Sequence, residues 1–453
     1  MATAVAQPHP QDFDAPAAAL PSGPRVPPML MTLVWAVAPT WVLDRCARRY
    51  GEAFTLTFGP SGRKLVMLSD PQAVKAVFTA PPEIAPSAAA DSPIAPVMGP
   101  SSVITLIGAE HMRQRKLLLP PFHGERMREY EQTIVQATRS SMRDWPIGKA
   151  MRLDERTRAI TLEVILRAVF GVEAERMERL RAAITGLLTP AQLPALILFA
   201  LRRPTGARPT GTIGRSLDHL DVVIYEEIAR RRRQTDLAQR TDILSLLMLA
   251  RDEDGEAMRD DELRDELVTL LLAGHETTAT AVAWAIERLV RHPDKLARLV
   301  AEIDAGESDE YMQAVVSETL RVRPVVPLVV RLLREPLQVG GRLLPAGTRV
   351  VPSIYLTNRN PRVYDAPKEF RPERFLRDGP ETFSWIPFGG GIRRCIGASF
   401  ATLEMKLILR TALAELAPEL PSSGRLRRRG EWNRRRAITL VPSAGARVLW
   451  RRR

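Results

Sequence analysis

A mainly helical fold with a small strand-rich portion is what this sequence predicts, and three observations lead to it. Helical hydrophobic periodicity dominates residues 109–275. Residues 267–286 form a nearly all-apolar run too long for a strand. After Arg331 the pattern turns to short strand-like pieces separated by turns. The apolar fraction, 45% of 453 residues, is enough for a substantial core, and 37 prolines imply rigid, irregular connections.

Residues 1–25 are rich in Ala and Pro and are expected to be disordered, followed by one large unit over 26–453. Residues 26–43 carry no charge, but Pro27, Pro28 and Pro39 interrupt them, leaving too little continuous helix to cross a bilayer. They read as an apolar surface segment packed near a substrate entrance, with a peripheral membrane contact as the lesser alternative. No secretory layout precedes them. A hairpin is expected from Ala53-Phe-Thr-Leu-Thr-Phe58, a turn at Gly59-Pro-Ser-Gly62, and Lys64-Leu-Val-Met-Leu68. Asp70-Pro71 has the cap-then-proline form of a helix start. Residues 80–107 read as a long functional loop. Residues 187–214, apolar with four prolines, read as a mobile lid. A helix is expected through 400–409, and strands at 437–441 and 447–450.

The formal charge is +13, and the last 29 residues hold eleven arginines against Glu431 alone. A solvated basic end is the first reading, and docking of an acidic partner or an anionic membrane surface the second. Nucleic-acid binding is excluded for want of zinc-finger spacing or an aromatic-interleaved basic motif. The two cysteines, Cys46 and Cys395, offer no disulfide framework and fit a reducing cytosolic setting. Cys46 reads as an ordinary, partly buried thiol.

Phe388-Gly-Gly-Gly-Ile-Arg-Arg-Cys-Ile-Gly397 is the most informative stretch. Its glycines allow tight turns and close approach to a flat partner. Backbone N–H groups and the start of the following helix would favour a thiolate at Cys395. Phosphate cradling is disfavoured, because the Lys-Ser/Thr ending of a P-loop is missing. On these residues alone, a thiolate ligand and an inert core cysteine both stay open. In the apolar run, His275 and Glu276 lack the second His of a zinc site, since position 279 is Ala. Ionisable residues there argue for a buried core helix rather than a membrane span.

The cysteine stretch resembles the signature of the cytochrome P-450 family at Phe388, Gly391, Arg393, Cys395 and Gly397. Ala273-Gly-His-Glu-Thr-Thr278 is similar to that family's oxygen-activation motif. The resemblance spans about residues 22–450, with four motifs in order. It implies the triangular helical prism of that fold, a single catalytic domain over 26–453, and haem b with Cys395 as axial thiolate, the ligand that favours O–O cleavage. It implies that Arg393, His111 and Arg115 bind haem propionates, that Phe388 packs near the sulfur, and that Gly389 and Ala273 lie against the haem. Glu276 and Thr277 would deliver protons as an acid–alcohol pair. Glu318, Arg321 and Arg374 would form a structural ion network behind the haem. Val97, Met98, Ala273, Val326, Leu328 and Ile438 would contact substrate, and their apolar character favours an apolar molecule: a steroid, terpenoid or fatty acid, the first two preferred.

The reaction implied is insertion of one oxygen atom from O2 by a cytoplasmic monomer without a transmembrane anchor. Electrons would come from a separate ferredoxin or flavodoxin and its reductase. Two other readings remain: a peroxide-driven haem-thiolate peroxygenase, which needs neither Glu276 nor Thr277, and a non-catalytic haem sensor or carrier. One departure from many relatives is Asn358-Arg-Asn-Pro361, where a His often stands first.

Overall fold

The computed structural model describes residues 20–89, 95–124, 126–171, 174–187, 208–376, 379–421 and 430–453. The expected disorder at 1–25 falls for the most part outside these residues, as does the expected lid at 187–214; Pro21 and Ser22 run beside the first strand through bonds to Thr55.

The apolar N-terminal segment folds as two helices, α1 (Pro28–Val37) and α2 (Pro39–Tyr50), broken where Pro39 cannot continue the first. Met31, Val42, Leu43 and Cys46 are buried, whereas Met29, Leu30, Leu33, Val37 and Trp41 face outward. No helix among the described residues is long and apolar enough to cross a membrane. β1 (Ala53–Phe58) and β2 (Arg63–Leu68) pair in the expected register about the 59–62 turn. Asp70 caps α3 (Pro71–Thr79), its carboxylate accepting the Ala73 N–H at 2.8 Å.

A helical body follows: α4 (Ala95–Met98), α5 (Gly108–Leu118), α6 (Arg126–Met142), the short strand β3 (Ala150–Arg152), α7 (Leu153–Phe170), α8 (Ala174–Leu187), α9 (Gly211–Arg232), α10 (Ile243–Leu249), α11 (Asp260–Leu289), α12 (Pro293–Ala305) and α13 (Glu310–Val322). α11 has 30 residues, about 45 Å at 1.5 Å per residue. It runs through the main core with α7, α9, α13 and the later helix α15 (Ala398–Glu415) packed around it.

The strand-rich remainder holds β4 (Arg331–Leu332), β5 (Leu337–Val339), β6 (Arg342–Leu344), β7 (Arg349–Pro352), the one-turn helix α14 (Ile354–Thr357), β8 (Leu416–Glu419), β9 (Asn433–Arg436), β10 (Thr439–Pro442) and β11 (Arg447–Arg452). The main sheet has the order β1-β2-β7-β4, with β2 and β7 parallel and β4 antiparallel to β7. A second sheet, β3-β11-β8, ties the C-terminal strand to the helical body. The strand expected at 437–441 begins two residues late. Ala437, at a φ of 49°, turns the chain in the left-handed region, so Ala437 and Ile438 form the hairpin turn between β9 and β10.

Candidate active site

Cys395 ends a loop whose shape its glycines dictate. Gly389 and Gly391 have φ of 70° and 65°, and a Cβ on Gly390 or Gly391 would overlap the Phe78 ring or carbonyl at the end of α3. The loop closes through Cys395 N–H to the Phe388 carbonyl (2.9 Å) and Gly389 N–H to the Ile386 carbonyl (3.0 Å). Three residues on, α15 begins, and the N–H of its capping residue Gly397 bonds toward the sulfur. Protein surrounds Cys395, yet its side chain is exposed, so it faces an interior cleft. Burial pushes its thiol up, while the Gly397 N–H and the positive charges of Arg394 and Arg115 pull it down. Phe388 is half-buried and packs edge-on against Trp385.

Beside this loop, cations converge without carboxylate partners among the described residues. Arg393 donates to the carbonyls of Val103 (2.9 Å), Ile104 (3.4 Å) and Leu106. His111 is buried on α5, and its Nδ1 has no partner among the described residues. Burial first, then Arg393, Arg115 and Arg331, hold its pKa down to about 4, so it is neutral at pH 7 and available as a donor. His111, Arg393, Gly390, Phe78 and Ser87 line one pocket together with Arg331. Arg331 escaped the sequence reading. Its side chain is 7% exposed, stacks over Phe78, and has no carboxylate partner among the described residues. Pairing of β4 with β7 delivers it there, and a lone Arg between Val330 and Leu332 in an apolar run was its one signal.

α11 supplies the opposite side. It is buried at Leu271, His275 and from Thr278 through Ile286, but Ala273 is exposed and Thr277 half-buried, so one notch of a core helix is open. The Thr277 hydroxyl donates to the Ala273 carbonyl at 2.7 Å. Gly274 serves a different end: a Cβ there would stand 3.1 Å from Ile165, so its smallness lets α7 and α11 approach. The Glu276 carboxylate pairs with Arg436 of β9 at 2.7 Å, and Arg436 also reaches Asp154 at 3.0 Å.

The first residues of α11 hold the 97–106 loop. Asp265 accepts Ser101 N–H (2.9 Å), Glu266 accepts Val103 N–H (2.7 Å), Thr269 bonds Ser102 (2.6 Å), and Arg264 reaches the Val97 and Met98 carbonyls. Val97 and Met98 are themselves buried. The other expected substrate contacts lie on different elements. Val326 packs with the Phe78 and Ile386 cluster, Leu328 with the N-terminal cluster, and Ile438 is exposed at its turn.

Glu318, Arg321 and Arg374 lie together. Arg321 grips Glu318 at 2.6 and 2.8 Å, both fully buried, with Arg374 at 3.6 Å. Arg321 also donates to the carbonyls of Asn358, Pro367 and Glu369. Asn358, the departure noted in the sequence, accepts the Ile386 N–H at 2.9 Å and so braces the approach to the cysteine loop.

The family model for cytochrome P450 matches residues 21–445. The chain belongs to the cytochrome P450 family. The P450 it resembles include cytochrome P450 135B1 of Mycobacterium bovis, 39% identical over 95% of this chain and 91% of that protein. Cytochrome P450 137 of Mycobacterium tuberculosis is 40% identical over 90% and 84%. Cytochrome P450 138 of Mycobacterium bovis is 38% identical over 97% and 98%. Among solved structures, a retinoic acid bound cyanobacterial CYP120A1 superposes with a TM-score of 0.79 at 24% identity, covering 96% of this chain and all of that one. The P450DA heme domain gives 0.80 at 22%, covering 96% and 98%. P450 proteins are haem-thiolate proteins with a cysteine-ligated iron. The residues present suit that group. Positive charge beside the loop lacks an anion among the described residues, as two propionates would supply, and of the two free cysteines Cys46 is shut in the N-terminal core while Cys395 is open.

Proposed function

We propose that this chain is a haem-thiolate monooxygenase that inserts one oxygen atom from O2 into a C–H or C=C bond of a hydrophobic molecule, a steroid, terpenoid or fatty acid. The observation that carries the proposal is Cys395, an exposed thiol inside the protein, at the head of α15 and beside cations with no carboxylate partner among the described residues. Cys395 would ligate the iron. Arg393, Arg115 and Arg331 would meet the propionates as cations and His111 as a neutral donor, while Phe388 and Gly389 would shape the loop beneath the ring. Haem held by a thiolate supplies O2 activation there: with two electrons and two protons, one oxygen atom enters the substrate and the other leaves as water.

The chain's own part is to bring protons to a dry site. Glu276 takes a proton from solvent and releases it toward the Thr277 hydroxyl at the Ala273 notch, and Arg436 holds the Glu276 carboxylate between transfers. Ala273, Val97, Met98, Val326, Leu328 and Ile438 would border the substrate. Electrons would come from a separate ferredoxin or flavodoxin and its reductase, in the cytoplasm, to a monomer whose single catalytic domain spans 26–453. The retinoic acid bound to the cyanobacterial neighbour supports a lipophilic substrate. The test is the carbon monoxide spectrum of the reduced protein. Wild type should give the thiolate-type band, and Cys395→Ser should lose it. An unchanged band in the variant sinks the assignment.

A further inference from the structure

The β9–β10 hairpin carries three consecutive arginines with different surroundings. Arg434 is exposed, and Arg436 is engaged with Glu276 and Asp154. Arg435 is half-buried, its Nε donates to the Ala437 carbonyl at 2.8 Å within its own turn, and no carboxylate pairs with it among the described residues. Burial lowers its pKa with no acid to oppose it.

The register fixes where Arg435 lies. It sits opposite Leu440, and directly opposed residues of an antiparallel pair project from the same face. Leu440 is buried in the cluster that contains Met31, and Leu328 packs against that same cluster. Arg435 is therefore a cation on the face that Leu440 turns to that apolar cluster, just before the Ala437–Ile438 turn. A desolvated guanidinium without a counter-charge is costly, and one N–H spent on Ala437 leaves four to form the planar fork that carboxylates fit.

We propose that Arg435 anchors the carboxylate of an elongated apolar acid, so that this enzyme takes a carboxylated lipophile in preference to its neutral counterpart. The inference rests on the monooxygenase reading above. A fatty acid and a terpenoid acid share the required chemistry.

The experiment is a titration of the purified holoenzyme, read by the substrate-induced spin shift, with hexadecanoic acid, retinoic acid and the methyl ester of each. Wild type should bind at least one acid about tenfold or more tightly than its ester, a difference worth about 1.4 kcal/mol. Whichever pair shows the gap identifies the source of the carboxylate. Arg435→Gln should abolish the preference by weakening the acid and not the ester, and Arg435→Lys should restore part of it. Equal affinities for acid and ester, no shift with any of the four, or a preference that survives Arg435→Gln overturns the proposal. The carbon monoxide spectrum of each preparation separates failures. A thiolate band shows the site is intact, so only the anchoring idea falls; its loss in wild type brings down the monooxygenase reading as well.

Discussion

Arg331 is buried, stacked on Phe78, and without a carboxylate among the described residues, an arrangement that is costly unless an anion completes it. Burial lowers its pKa to about 10, so it still carries charge at neutral pH. Charge-assisted bonds contribute about 1.5–3 kcal/mol each. Arg331→Gln should therefore release haem about tenfold faster, measured by transfer to haem-free myoglobin, with the thiolate band initially unchanged. Glu404 makes a second residue-scale case. It is buried on α15 against Thr278 of α11, and burial pushes its carboxyl up to about 8 from the ordinary 4.5, the Thr278 hydroxyl pulling the other way. Between those values the folded chain keeps a proton that the unfolded chain has lost, so stability falls as pH rises through that window. Urea midpoints should drop between about pH 5 and pH 9 in wild type, and Glu404→Gln should flatten the drop. A variant as pH-sensitive as wild type would show that Glu404 is not the group. Neither role was readable in the sequence. Cys395 and Arg393 stand in one contiguous motif because a loop builds their site, whereas sheet pairing brings Arg331 across more than two hundred residues to His111, and no local pattern encodes that.

At the scale of elements, the cysteine loop depends on its approach to the end of α3. Gly391 combines a φ of 65° with a Cβ direction blocked by the Phe78 backbone, while Gly389, at a φ of 70°, has no atom within 4 Å of where a Cβ would lie. A left-handed conformation costs an L-residue about 1–2 kcal/mol. Gly389→Ala should lose about that much, and Gly391→Ala distinctly more, together with haem occupancy, read from unfolding midpoints and from the haem-to-protein absorbance ratio. Equal losses would show that the contact with α3 carries nothing. The elements that local chemistry specifies were legible: the β1–β2 hairpin from its glycine turn, and α3 from its Asp-Pro start. Two were only partly legible, for a physical reason. α11 begins at Asp260, seven residues before the apolar run, because Asp265 and Glu266 are buried while holding backbone N–H groups of the 97–106 loop. Periodicity assigns such charged residues to the surface. The β9–β10 turn went unseen because Ala437, not Gly or Asn, adopts the left-handed conformation.

Across the whole molecule, three arginines in the described part of the arginine-rich C-terminus serve the fold. Arg451 pairs with Glu419, Arg453 with Asp304, and Arg436 with Glu276 and Asp154. β11 lies between β3 and β8, joining the start of α7 to the end of α15, the two helices that flank α11. Trp450 is the anchor of that strand. It is 1% exposed and lies 5.1 Å, ring to ring, from Trp145 at the end of the α6 connection. Truncating a buried Trp to Ala costs about 3–5 kcal/mol. Trp450→Ala should therefore lower the urea midpoint by that equivalent, whereas Arg452→Ala on the same strand, its side chain exposed, should stay within about 0.5 kcal/mol. If the two variants lost equal stability, the tail's charge rather than its packing would be holding the strand, and the reading of this terminus as a structural clasp would be wrong.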